Sequence, residues 1–200
     1  MFPDLYLMRH GETAWNAEGR LQGRLDSPLT QLGYRQAAMQ ADLLSGVEGL
    51  RVSSPQGRAL QTARIVFGDR PFRTDDRLAE IDIGTFSGQL LTDLRDREPS
   101  IFSGGRLAWY DRAPQGERLE GLLRRAGSFL AELRGPTLIV THGITLRMLR
   151  LIALDLPLDR LAEMPVEQGA IHLVRQGTHR ILRGHAPCCP ERAGQPDPSG

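Results

Sequence analysis

Thr137-Leu138-Ile139-Val140-Thr141 is an apolar, β-branched run bounded by Gly135-Pro136 on one side and His142-Gly143 on the other. A short run of this kind, closed by Gly and Pro, predicts a strand buried on both faces. The segment after it, Ile144 to Leu154, reads as a helix. The segment before it, from Gly116-Glu117 to about Leu133, reads as another, rich in Leu, Ala and Arg and stopped by Pro136. The same alternation appears upstream. Residues 4–8 (DLYLM) predict a strand that stops at Arg9-His10-Gly11. Leu50 to Ser53 predicts a second, followed by a helix from Gly57 to Phe67 that closes at Gly68. Thr30 is placed to cap a helix running to about Leu44, with Leu32, Ala37, Leu43 and Leu44 on one face.

Around these elements, residues 14–29 read as loop, punctuated by Gly19, Gly23 and Pro28. Residues 70–113 predict short strands, turns and a small helix near Asp93 to Glu98. Residues 169–175 and 179–183 predict two closing strands joined around Gly177. The expected fold is α/β: a three-layer sandwich with a mostly parallel central sheet and helices on both faces. Residues 1–183 are expected to form one catalytic domain, and 184–200, rich in Pro and Gly, a disordered tail.

Composition narrows the function. With 200 residues and 40% hydrophobic content the chain is long enough to bury a core. A net charge of +1 supplies no global field toward nucleic acid or an anionic membrane. No apolar run reaches the roughly 18 residues of a membrane span, and Met1 to Met8 lacks the basic start of a signal peptide. A cytoplasmic protein is therefore the expectation. Cys188 and Cys189 are adjacent, too close to staple the fold, and fit no metal spacing, so incidental thiols are expected. Every basic residue other than histidine is Arg, so any anion clamp here is built from Arg and His.

In parallel α/β sheets, ligands bind beyond the carboxyl ends of the strands. Three such ends are marked: Arg9-His10-Gly11, Ser53 to Arg58, and His142-Gly143. All three carry groups suited to phosphate. Neutral His10 can act as a nucleophile if one ring nitrogen is held by a hydrogen bond, and Gly11 allows the backbone close enough to accept it. A phosphate monoester carries a charge of roughly −1.5 to −2. Arg9 and Arg58 offer planar forks to it, and His142, if protonated, a third donor. The leaving alkoxide needs a proton, and Glu80 is the natural source. To give one it must hold one, which burial or the charge of the phosphate would favour. Asp82, two residues on, is the competing carboxylate. No cofactor or metal is called for.

These residues resemble the histidine phosphatase superfamily, also called the phosphoglycerate mutase-like family. The resemblance rests on four ordered blocks. The first is Arg9-His10-Gly11-Glu12-Thr13-x-Trp15-Asn16, continuing through Arg20, Gln22-Gly23, Asp26, Pro28-Leu29-Thr30, Gly33 and Gln36-Ala37. Then come Ser53-Ser54-Pro55 with Arg58-Ala59 and Gln61-Thr62-Ala63, Leu78-x-Glu80 with Ile83-Gly84-x-Phe86-x-Gly88, and Thr141-His142-Gly143 with Arg147. The resemblance implies that His10 is phosphorylated, that Arg9, Arg58 and His142 hold the phosphate, and that Glu80 donates the proton. It also implies that Asn16, Gln22 and Gly23 lie near the phosphate. Mutases of this kind carry Arg and Tyr where this chain has Ile81 and Ile83, Asn where it has Ile144, and a longer middle segment. These departures favour hydrolysis of small phosphorylated metabolites over phosphoglycerate mutation. A phosphate-binding module without turnover is the third reading, disfavoured because nucleophile, clamp and acid are all present. The substrate and the oligomeric state are not legible.

Overall fold

The computed structural model describes residues 2–184. The Pro/Gly-rich tail, Cys188, Cys189 and His185 lie outside the described residues, apart from the tail's first residue, Gly184. Six strands form one sheet: β1 (Leu5–Arg9), β2 (Leu50–Ser53), β3 (Arg73–Thr74), β4 (Thr137–Thr141), β5 (Ala170–Arg175) and β6 (Thr178–Arg183), in the order β3-β2-β4-β1-β5-β6. The first four run parallel, and β5 and β6 add antiparallel. β4 sits inside the sheet and is buried at every position, which is why its sequence shows no alternation.

Six α-helices accompany the sheet: α1 (Ala14–Glu18), α2 (Gln31–Leu43), α3 (Gly57–Phe67), α4 (Leu91–Arg97), α5 (Arg118–Ala131) and α6 (Gly143–Ala153). One face of the sheet packs Met8, Val140 and Ile171 with Ala37, Ala59, Ala63 and Phe67 of α2 and α3. The other packs Leu7, Ile139 and Val174 with Leu122, Phe129, Leu146 and Leu149 of α5 and α6. The two cores on opposite faces make the expected three layers. No helix among the described residues is long and apolar enough to cross a membrane.

Two expectations need correction. Residues 14–29 are not all loop, because Thr13 and Asn16 form a capping box that starts α1. Leu32 does not share the buried face of α2. It is 41% exposed, and Gly33, Ala37, Gln40 and Leu44 face inward instead. A Cβ on Gly33 would lie 2.1 Å from the Glu12 carbonyl, and one on Gly11 2.3 Å from the Gly33 carbonyl. The helix start therefore packs backbone to backbone against the loop after β1, which leaves no room for Leu32 to turn in.

Residues 143–151 of α6 are buried throughout. Two of them, Arg147 and Arg150, are charged. Arg150 is fully buried and donates to Nδ1 of His172 on β5 at 3.0 Å, to Nε2 of His179 on β6 at 3.1 Å, and to the Pro165 carbonyl. Burial, and next the Arg150 charge, hold His172 down at about 3 and His179 at about 4. The unfolded chain, with its histidines near 6.5, binds more protons over this range. Stability is therefore lost as pH falls through 6.5 toward those values. The urea midpoint is expected to drop between pH 7 and pH 5, and to drop less in the His172→Gln/His179→Gln variant; equal drops would contradict the assignment.

Candidate active site

The parallel register sets the site. Arg9 pairs with Thr141, and Ser53 with Val140, so β1, β4 and β2 end at one level. The residues just beyond, His10, His142 and Ser54, therefore meet. The His10 and His142 rings lie 5.2 Å apart between centroids. The His10 amide donates to the Thr141 carbonyl and the Ser54 amide to the Val140 carbonyl, each at 2.9 Å, which extends the ladder one step into the loops.

His10 is 3% exposed. Its Nδ1 lies 2.8 Å from the Gly11 carbonyl and its Nε2 accepts from Arg58 Nε at 3.2 Å. A carbonyl only accepts, so the ring proton is on Nδ1 and the lone pair on Nε2. Burial first, then the charges of Arg58 and Arg9, hold His10 well below its usual value, so it is neutral. Gln168 Nε2 fixes the His10 carbonyl at 3.0 Å, and Thr62 Oγ accepts from the Gly11 amide at 3.1 Å, tying the loop to α3.

Arg58 stands on the first turn of α3. Asp26, thirty-two residues away in sequence, caps that helix by accepting from the Gly57 amide at 2.6 Å and the Arg58 amide at 3.2 Å. The same carboxylate binds Arg58 Nη1 at 2.8 Å, and the Leu25 and Gly23 carbonyls take Nη1 and Nη2. Four of the five guanidinium N–H groups are thus engaged, counting the bond to His10. Arg58 is less a free fork than the sequence suggested; it is a rigid charge locked beside the imidazole. Gly23, at φ 52°, has no room for a side chain, since a Cβ would lie 2.5 Å from Ile83 Cγ1.

His142 is the N-cap residue of α6 and is fully buried. Its Nε2 lies 2.7 Å from Ser54 Oγ, which accepts in turn from the Gln56 amide at 3.3 Å. The hydroxyl proton has no other acceptor among the described residues, so it goes to Nε2 and the ring carries its own proton on Nδ1. Burial and then Arg58 hold His142 well below its usual value. As a neutral imidazole His142 offers a donor through Nδ1, a buried atom with no protein partner among the described residues. Arg9 Nε is a second such donor. Arg9 Nη1 reaches the Val166 carbonyl at 3.4 Å.

Glu80 supplies the carboxylate. Its Oε2 accepts from the Ile144 amide at 3.1 Å and its Oε1 from the Thr145 amide at 3.1 Å, so it caps α6 where His142 gives no side-chain cap. Thr145 Oγ lies 3.0 Å from Oε1 and 2.9 Å from the Ala79 carbonyl. Asp82 turns away, accepting from the Gly84 amide at 2.8 Å. The two carboxylates therefore separate: Glu80 faces Arg9 across Gly143, and Asp82 stabilises a turn. A Cβ on Gly143 would lie 3.6 Å from Arg9 Nε and 3.8 Å from Glu80 Oε2. Gln22 is buried with its Oε1 unpartnered, whereas Asn16 spends its carbonyl on the Thr13 amide.

Gln56 escaped the sequence reading. Buried between the loops, it donates from Nε2 to the Gly23 carbonyl at 2.9 Å and accepts from the Glu80 amide at Oε1 at 2.6 Å. One amide thus ties the loop that holds Arg58 to the loop that holds Glu80. No sequence signal marks it, because both partners are distant in sequence. Among the described residues no three His, Cys, Asp or Glu side chains converge as a metal ligand set.

Neutral imidazoles, arginines and a carboxylate thus gather beyond three adjacent parallel strand ends, where open α/β sheets bind their ligands. The family model for the histidine phosphatase superfamily (branch 1) matches residues 5–182, and the chain belongs to that superfamily. A Yersinia pestis (strain Pestoides F) protein named "Probable phosphoglycerate mutase GpmB" is 37% identical over 166 residues, covering 76% of this chain and 75% of its own. The solved structure of Bacillus stearothermophilus YhfR is 35% identical with a TM-score of 0.76, covering 90% of this chain and 95% of that one. The α-ribazole phosphatase from Shigella flexneri is 30% identical with a TM-score of 0.78, covering 90% and 96%.

Gln56→Leu keeps the volume but leaves the Gly23 carbonyl and the Glu80 amide without their partner. A loss of about 1–3 kcal/mol is expected in urea unfolding, and an unchanged midpoint would show the clasp to be idle.

Proposed function

We propose that the protein is a phosphatase that hydrolyses phosphate monoesters of small metabolites through a phosphohistidine on His10, without a metal ion. The observation that carries this reading is the state of His10: neutral, Nδ1–H on the Gly11 carbonyl, Nε2 presenting its lone pair beside Arg58. An imidazole so held attacks phosphorus through Nε2. Arg9, Arg58 and the Nδ1–H of His142 meet the equatorial oxygens, with Gln22, Gly23, Asn16 and Gly143 lining the same space. Charge is met by arginine, in place of a metal ion.

Glu80 gives its proton to the leaving oxygen. Thr145 Oγ can accept a hydrogen bond from a protonated Oε1 while its own O–H donates to the Ala79 carbonyl, so the protonated carboxyl also has a seat. In the second half, Glu80 takes a proton from water as water attacks the phosphohistidine, releasing phosphate and restoring His10. Residues 1–183 act as the catalytic unit, in the cytoplasm. The Yersinia relative's name keeps mutase activity as a second reading. Against it, Ile81 and Ile83 are buried core residues here, offering no polar contact to an intermediate retained in the site.

Phosphate release from p-nitrophenyl phosphate and a panel of metabolite esters in EDTA is expected for the wild type and absent for His10→Ala. Retained turnover in His10→Ala, or dependence on added metal, would overturn the reading. Bisphosphoglycerate-dependent interconversion of phosphoglycerates would favour the mutase. Because burial and the neighbouring arginines hold His10 well below its usual value, the acid limb of kcat/KM is expected below the ordinary histidine range, giving an acid-to-neutral optimum. Glu80→Gln is expected to cost about 10²-fold or more with alkyl phosphates and much less with p-nitrophenyl phosphate; an optimum above pH 9 that survives Glu80→Gln would contradict both roles.

A further inference from the structure

His10 and Gly11 carry two backbone amides and two backbone carbonyls, and the structure gives each a partner. The His10 amide donates to the Thr141 carbonyl at 2.9 Å, the His10 carbonyl accepts from Gln168 Nε2 at 3.0 Å, and the Gly11 amide donates to Thr62 Oγ at 3.1 Å. The Gly11 carbonyl is left for the His10 ring, whose Nδ1 lies 2.8 Å away. Three bonds hold the backbone, and the fourth holds the imidazole to it. Thr141 belongs to β4 and Thr62 to α3. Gln168 belongs to neither a helix nor a strand of the sheet. It stands between a helical turn that ends at Glu163 and the start of β5 at Ala170.

An irregular segment can aim a side chain only if other groups hold it still. Arginines do so here, one for each residue from 164 to 167. The Met164 carbonyl accepts from Arg147 Nε at 2.8 Å, the Pro165 carbonyl from Arg150, and the Val166 carbonyl from Arg9 Nη1 at 3.4 Å. The Glu167 carboxylate accepts from Arg183 Nε at 2.8 Å and Nη2 at 2.6 Å. These arginines come from α6, β1 and β6, so the segment is tied to both the sheet and a helix. Arg150 is itself fixed by His172 and His179. On the other side of Gln168, Gly169 turns the chain into β5 at φ 75°, close against Gln36. Gln36 Oε1 in turn accepts from the Glu12 amide at 2.7 Å, in the loop that carries His10. The Gln168 backbone also bridges to Arg9. The segment thus touches both an arginine of the phosphate clamp and the backbone of the nucleophile.

As Nε2 attacks phosphorus, positive charge spreads to Nδ1, and its bond to the Gly11 carbonyl becomes charge-assisted and stronger. That bond steers the ring only while the peptide between His10 and Gly11 stays in place. A misplacement near 1 Å can cost about 10²-fold in rate. We propose that Gln168 is a positioning residue for the nucleophile: its side-chain N–H holds the His10 carbonyl so that the imidazole keeps Nε2 aimed at the phosphorus. This rests on the phosphatase reading above. Gln168 acts through the His10 backbone, and the arginine-held segment keeps it on that task.

The test follows p-nitrophenol release in a single turnover of p-nitrophenyl phosphate, enzyme in excess, for wild type, Gln168→Met and Gln168→Glu. Met keeps the length of the side chain without its amide, and Glu keeps the shape without the N–H. Both are expected to slow the single turnover by about 10-fold or more. In Gln168→Met the Ki of inorganic phosphate, which reports on the clamp, is expected to stay within about twofold of wild type. The His10 Nδ1 proton, assigned by NMR from its absence in His10→Ala, is expected to exchange with solvent faster in Gln168→Met. A wild-type rate in either variant overturns the proposal. So does a loss in Gln168→Met that falls equally on turnover and on phosphate binding, or an unchanged proton exchange. If wild type releases no p-nitrophenol, the phosphatase reading fails instead. Proton exchange then decides the positioning role alone: faster exchange in Gln168→Met supports it, and equal exchange overturns it.

Discussion

The contact between Arg58 and His10 is the constraint around which the site is arranged. Burial, and next a guanidinium 3.2 Å from an imidazole nitrogen, keep that ring neutral, and the arrangement survives only if the arginine cannot swing away. Asp26 and the Leu25 and Gly23 carbonyls hold it there. Asp26 also caps α3, so the helix that carries Arg58 and the charge that orients it are fixed by one carboxylate. Gly23 is in turn gripped by Gln56, which reaches on to the Glu80 loop. His10 and Glu80 are thereby linked through a chain of hydrogen bonds rather than through the sheet alone.

Each functional carboxylate among the described residues does double duty. Asp26 caps α3, and Glu80 caps α6, in both cases from a loop distant in sequence. The helices leave their own N-caps without side-chain bonds, which frees Gln56 and His142 for the site. Two helix N-termini thus point at one region, and the acidic groups they attract are Asp26, which holds Arg58, and Glu80, which faces Arg9.

Much of this was legible in the sequence. The β-branched run 137–141 and the Gly-bounded segments around 50–53 and 57–67 fixed strands and a helix, because local propensity and burial agree there. His10, Arg9, Arg58 and His142 follow from strand ends that the parallel sheet brings together, and the ordered blocks named the family. Legibility failed where a contact depends on distant partners. Asp26 on Arg58 and Gln56 between two loops are hydrogen bonds across long stretches of chain, with no periodicity to announce them. The α1 helix was missed because side-chain caps, not apolar spacing, start it.

The central claim is that His10 takes the phosphoryl group, and trapping it tests that claim most directly. Wild-type protein mixed with p-nitrophenyl phosphate is quenched in base within the first turnovers, digested, and analysed by mass spectrometry for an acid-labile phosphate. The account predicts a phosphorylated peptide carrying His10 that fades as substrate is exhausted, with no adduct in His10→Ala. Rapid hydrolysis with no adduct on His10, or an adduct on another residue, would contradict it.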